Sequence, residues 1–433
     1  MADAERIVRG RLLSFLRQPA GAGDAGSYRH RADGALLLRD GRIAAIGEAA
    51  DIVAAHPGVS VDHHPDALVL PGLIDLHIHF PQTQVIASYG TQLLEWLERY
   101  TFPAEQRYAE RNHAEAGARF FLDELLRNGT TTAAVYGSVH PGAIDAFFAE
   151  SERRGTLMLA GKTMMDRNAP PALCDTAESA YADSRDLIEK WHGRGRQRYV
   201  VTPRFAITST EAELAAAGAL LRAFPDVHLQ THLSENRAEI AAVRGLFPQA
   251  RDYTDVYDRF GLLGRRSLFG HCIHLSDAEV ARLAETGSVA VFCPTSNLFV
   301  GSGLFDLPRL RRAGMRIGLG TDVGGGTSYS MLRTAGEAYK VLQLQNMSLS
   351  ALEAFDLMTR GNAAALGLDN EIGTLETGRA ADLVVLDARA TPAMAHRMDA
   401  AGSLEDELFV LMTLGDDRAV RATYVAGALA HSL

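Results

Sequence analysis

The chain has little sulfur: three cysteines, Cys174, Cys272 and Cys293, in 433 residues, with no C-x-x-C spacing. That excludes a disulfide framework and a thiolate zinc knuckle, and it points to a reducing compartment. An excess of positive charge is also missing. Lys and Arg number 43 against 53 Asp and Glu, for a formal net charge of −10, and the basic residues are scattered rather than blocked. A nucleic-acid groove or an anionic membrane partner is therefore not expected. No apolar run is long enough to span a bilayer, and residues 1–12 carry charges where a signal peptide needs an apolar core. What remains is a soluble cytoplasmic protein whose length implies one large domain and a smaller one.

The feature that stands out is His77-Ile78-His79, closing the apolar run that starts at Leu68. In a strand, alternate side chains share a face, so both imidazoles aim at one point and make half of a divalent metal site. Around this run the chain reads as β/α units. Strand-like segments fall at residues 68–79, 130–137, 156–165, 198–207, 227–234, 267–275, 288–294 and 316–322. Helical patterns fall at 104–126, 177–191, 212–223, 277–284 and 349–366. Eight strands alternating with helices predict an α/β protein built on a (β/α)8 barrel of the TIM type, with its chemistry at the strand ends. An open doubly wound sheet needs a glycine-rich phosphate turn after its first strand, and Pro71-Gly72-Leu73-Ile74-Asp75 is not one. Both ends of the chain read as short strands with tight turns, at Asp40-Gly41 and near Gly427. They are expected to meet as one small β domain, so that residues 1–66 and 373–433 flank a catalytic barrel at 67–372.

The predicted strand tips collect polar residues: His77 and His79 on the first, Arg204 and Phe205 on the fourth, His232 on the fifth, His271 on the sixth and Asp322 on the eighth. Three imidazoles and a carboxylate suit one Zn2+ or Fe2+ with a position left for water, which predicts a metal-dependent hydrolase. Glu235 lies just beyond His232, within reach of such a water and placed for general-base work; it is also read as a first-turn acid of a helix over 235–246. Arg204 offers a fixed fork of donors for a substrate oxygen, and Phe205 a ring face. The Gln82 amide both donates and accepts, as a purine edge requires. His228 starts its strand rather than ending it and is read as structural, while His274 lies near the mouth without a role.

Pro71-Gly72-Leu73-Ile74-Asp75-Leu76-His77-Ile78-His79, together with His232, His271 and Asp322, resembles the amidohydrolase superfamily. Finer segments resemble its guanine deaminase branch, the bacterial type in particular. These are His77-Ile78-His79-Phe80-Pro81-Gln82, Leu93-Leu94-Glu95-Trp96-Leu97, Thr202-Pro203-Arg204-Phe205, Thr231-His232-Leu233-Ser234-Glu235-Asn236, Cys293-Pro294-Thr295-Ser296-Asn297 and Gly320-Thr321-Asp322. The likeness covers residues 67 to 390. It implies a metal barrel with a small β-sandwich from both chain ends, one zinc per subunit on His77, His79, His232 and Asp322, and a homodimer. His271 would then position the attacking water rather than ligate, and Glu235 and Asp322 would carry protons. Gln82, Arg204, Phe205 and His232 would line a guanine pocket, with the Trp96 segment closing over it. Deamination or dechlorination of another aminated ring is the alternative activity; a purine-binding scaffold without catalysis is the alternative of another kind. The combined motif of cytidine-type zinc deaminases, H-x-E followed by P-C-x-x-C, is absent.

Overall fold

Gly72 is where the chain changes sheets. A Cβ there would lie 2.1 Å from Thr131 Oγ1, so only glycine fits, and its N–H donates to Asp382 O at 2.8 Å. The run over 68–79, read above as one strand, is consequently two: Ser60–Pro71 belongs to a sheet made by the chain ends, and Leu73–His79 opens the barrel. The computed structural model describes residues 5–90 and 92–433.

From Leu73–His79 the barrel continues through Thr130–Tyr136, Leu157–Gly161, Arg198–Pro203, His228–Leu233, Ser267–His271, Val289–Phe292 and Arg316–Leu319, each parallel to its neighbour. All eight strand segments read from the sequence are present. Helices Ala177–Trp191, Glu211–Ala223 and Asp277–Thr286 lie where the periodicity puts them. Two do not run straight. The helix expected over 104–126 stops at Gln106 and resumes as Arg111–Arg127, because Glu110 is extended. The one expected over 349–366 is Ala351–Asp356 and Asn362–Leu366 joined by a π turn, Leu357–Gly361.

That π turn brings Asn362 under the barrel seam. The eighth and first strands are joined by the fully buried Asn362 amide, which donates to Ile74 O at 2.7 Å and Leu319 O at 2.9 Å and accepts from Leu319 N at 2.9 Å. Higher up, Asp322 N donates to His77 O and His79 N to Val323 O, both at 2.7 Å. Asp75 accepts from Thr321 N and His77 N at 3.1 Å each. Replacing Asn362 by Ala strands three buried backbone groups, each costing about 1–3 kcal/mol. The variant should lose on the order of 3 kcal/mol of stability, read as a lower denaturant midpoint with an unchanged slope.

Ile74 and Leu76 fill the barrel floor with Ala134, Leu157, Leu159, Val200, Leu268 and Val291. A register shift between Asp75 and Ile78 resets the alternation, so His77 and His79 also face the interior above that floor. The other sheet has seven strands, in the order Ala428–Ser432, Val420–Val425, Leu383–Leu386, Ser60–Pro71, Arg6–Phe15, Tyr28–Arg39 and Arg42–Glu48. Its two hairpin turns meet through Ala381, whose N–H donates to Gly41 O and whose carbonyl accepts from Gly427 N, both at 2.9 Å. The sheet so curls over Val8, Leu12, Leu36, Val69, Leu383, Val385 and Tyr424, as a small sandwich made from both ends. Among the described residues no helix is long and apolar enough to cross a membrane.

Candidate active site

The barrel strands deliver the tip residues to one point. Nitrogen and oxygen atoms of His77, His79, His232 and Asp322 all lie within 4.8 Å of one another, and all four side chains are buried. Asp322 Oδ1 stands 3.4 Å from His77 Nε2 and 3.2 Å from His79 Nε2, and His232 Nε2 is 3.3 Å from His79 Nε2. The His77 ring has room because the sixth strand carries Gly270, where a Cβ would sit 2.4 Å from His77 Cε1. His232 Nδ1 is held by Arg204 O at 2.7 Å, which turns Nε2 toward the group. Two backbone conformations here are unusual for residues with a side chain: His271 has φ 70° and Asp322 φ 54°. Strained backbone of this kind gathers where function over-determines geometry.

The group fits a divalent cation. His77 Nε2 is buried and makes no hydrogen bond, a rare state unless something else satisfies it. Burial lowers His77, takes His79 down to about 4 and drives His232 well down, so the imidazoles are neutral, as ligands must be. Burial alone would raise the Asp322 carboxyl, but the adjacent His77 ring, with His79 beside it, holds it well below the usual range.

Glu235 and His271 stand beside this group. Glu235 Oε1 accepts from Ser302 Oγ at 2.8 Å, while Oε2 lies 3.4 Å from His271 Nε2, itself 3.7 Å from Asp322 Oδ2. His271 Nδ1 is fixed by Asn297 Oδ1 at 2.8 Å. Burial, then the nearby Asp322 charge, raises Glu235 to about 8 despite the Ser302 hydroxyl. Glu235 is not a first-turn acid, as the sequence suggested: the helix is Arg237–Leu246 with Asn236 as its N-cap, and Glu239 takes the first-turn position. Glu239 Oε2 accepts the Glu235 N–H at 2.8 Å, so that acid holds the backbone of the residue displaced from the helix. His274 donates its Nε2–H to, and so anchors, Ser302 O at 2.8 Å. His228, on the same strand as His232, meets Leu366 O at 2.9 Å far from the group.

Over the group lies a cavity. Its walls include Gln82, Trp96, Arg204, Phe205, His232, Glu235, His271 and Asp322, so every substrate-lining residue expected from the sequence reaches it. Trp96 closes one side with Leu93 and Leu97 from the segment after the first strand. The sequence reading missed Glu105, fully buried, and Ser302. Arg204 Nη1 donates to both Glu105 oxygens at 2.8 and 2.7 Å, and Gln82 Nε2 donates to Glu105 Oε1 at 2.9 Å. Neither residue type marks a function by itself in the sequence; what gives each a role is a partner brought to it by the fold.

The model of the amidohydrolase family matches residues 68–430, from the strand before the barrel to the last strand of the end sheet. The chain belongs to the amidohydrolase family. Amidohydrolases are metal-dependent, in keeping with a His/His/His/Asp group able to hold a metal. A second, short match, to an imidazolonepropionase-like composite domain of bacteria, falls on residues 34–58 in the end sheet. Among amidohydrolase relatives, guanine deaminase of Escherichia coli strain K12 is 47% identical over 428 residues, covering 98% of each chain. The solved structure of E. coli guanine deaminase superposes with a TM-score of 0.96 over 99% of both chains. Guanine deaminase from C. acetobutylicum, solved with guanine in its active site, has a TM-score of 0.89 at 27% identity, over 98% of this chain and 99% of that one.

Proposed function

We propose that the protein hydrolyses guanine to xanthine and ammonia. The observation that carries this reading is a single cavity lined by a group able to hold a metal, by Glu235 and His271, and by the polar Gln82 and Arg204. Identity of 47% to a guanine deaminase over nearly the whole chain supports the choice of ring.

His77, His79, His232 and Asp322 would hold one Zn2+ per subunit, with Fe2+ as the alternative for the same donor set. When bound, such an ion supplies Lewis acidity that brings the pKa of water down to about 7. The chain's own residues then divide the work. Arg204 and Gln82 hold the carbonyl and ring edge, and Phe205 covers a ring face. Glu235 takes a proton from the attacking water and passes it to ring nitrogen 3, which makes carbon 2 electrophilic as the oxygen adds there. His271, fixed through Asn297, positions that water and the tetrahedral oxygen that develops from it. Asp322 accepts the second proton and returns it to the departing amine, which leaves as ammonia. Residues 67–372 carry this chemistry, and 1–66 with 373–433 form the flanking domain, in a cytoplasmic homodimer.

The decisive assay uses purified protein and guanine, with xanthine followed by absorbance and ammonia by a coupled reaction. Stoichiometric xanthine and ammonia are expected. Turnover of a triazine or of adenosine with none of guanine would replace this reading by a different amidohydrolase activity, and tight binding of unchanged guanine by a sensor.

A further inference from the structure

Glu105 is a buried carboxylate whose three hydrogen bonds all come from the polar wall of the cavity. It lies in Phe102–Gln106 with no exposed surface, accepts twice from Arg204 Nη1 and once from Gln82 Nε2. A buried ion pair of this sort contributes little net stability, because the two charges lose their hydration. Its effect is orientation. Gln82 Oε1 accepts from Gly324 N at 3.2 Å while Nε2 faces Glu105. Turning that amide over would set oxygen against carboxylate and N–H against N–H, so the charge on Glu105 decides which way Gln82 points. The same carboxylate occupies Nη1 of Arg204, and the guanidinium carbon lies 5.6 Å from the Phe102 ring centre, on the same short helix. The remaining Arg204 nitrogens make no hydrogen bond among the described residues, and the side chain lines the cavity.

We propose that Glu105 is a specificity-determining positioning residue: it orients Arg204 and Gln82 so that the cavity accepts a ring carrying a carbonyl oxygen. The inference rests on the guanine reading above and adds the residue that enforces it. Donors presented by Arg204 match a carbonyl acceptor, and they go unpaired when the ring has none.

The experiment compares guanine with 2-aminopurine, which carries its amine on the same ring carbon but has no carbonyl, in wild type and Glu105→Gln, with metal content measured in both. Glu105→Gln removes the charge while keeping size. Guanine kcat/KM is expected to fall about 100-fold, mostly through KM, and 2-aminopurine kcat/KM to change less than about threefold, so that selectivity collapses. Equal losses on both substrates would mean a merely structural role, and wild-type kcat/KM on both would mean no role; either overturns the proposal. Should Glu105→Gln fail to fold, Glu105→Asp, too short to reach both partners, is read by the same ratio with the same outcomes. A wild type inactive on guanine would overturn the deaminase reading and this inference with it. An active wild type whose ratio survives substitution overturns this inference alone.

Discussion

Replacing Glu235 by Gln should lower kcat by about 10²–10⁴-fold while KM and bound metal stay near wild type. Gln keeps the shape and still accepts from Ser302 Oγ, which meets Glu235 Oε1 at 2.8 Å, so the cavity is preserved. What is lost is a group able to take and release a proton. The carboxylate suits that role because it is only 3% exposed and is pushed by burial and by Asp322 to about 8, close to working pH. Its second oxygen, 3.4 Å from His271 Nε2, faces the position where water and ring must meet. Steady-state kinetics with metal analysis on the same preparation check the result. Near-normal turnover in Glu235→Gln would end the assignment of this residue as proton carrier, and a loss of metal would recast it as a support of the ligand group.

Removing the cation should abolish turnover altogether. Dialysis against a chelator is expected to silence the protein, and one equivalent of Zn2+ or Fe2+ to restore it. His77 Nε2 is then left buried without a hydrogen-bond partner, in a group of three neutral imidazoles packed against one another. Because the cation binds the folded chain, Tm should also rise on its return, by the equivalent of about 4 kcal/mol at a thousand times Kd. His232→Ala should reproduce the loss in a form that added metal does not rescue. Several kcal/mol of transition-state stabilisation disappear, a drop on the order of 10³-fold or more. His228→Asn, at the other end of the same strand and bonded to Leu366 O, is the control that should leave metal content unchanged. Full metal occupancy and turnover in His232→Ala would remove that residue from the ligand set.

The barrel and the residues gathered at its rim were legible because they depend on short-range pattern. Alternation along a strand places His77 and His79 on one face whatever surrounds them, and parallel strands in a closed barrel end on one rim, so His232, His271 and Asp322 follow from position alone. The turns at Asp40-Gly41 and Gly427, with φ values of 50° and 73° at the first pair and 80° at the last, were visible for the same local reason. The break at Gly72 was not. Pro71-Gly72 interrupts no apolar run, and what forbids a side chain there is Thr131, which lies 59 positions on and meets the glycine only after the sheets have formed.

The same holds for what tunes the site. Glu105, Ser302 and Asn362 each act through a partner remote in sequence, which local periodicity does not reveal: Glu105 on Arg204, Ser302 on Glu235, Asn362 on Ile74. By itself the amino-acid sequence determined the barrel, its rim and the residues able to hold a metal, since these need only period and order. The orientation of Gln82 and Arg204, the rotamer of Glu235 and the closing of the seam were decided by tertiary structure alone. Hydrogen bonds between loops depend on distances that no local pattern encodes.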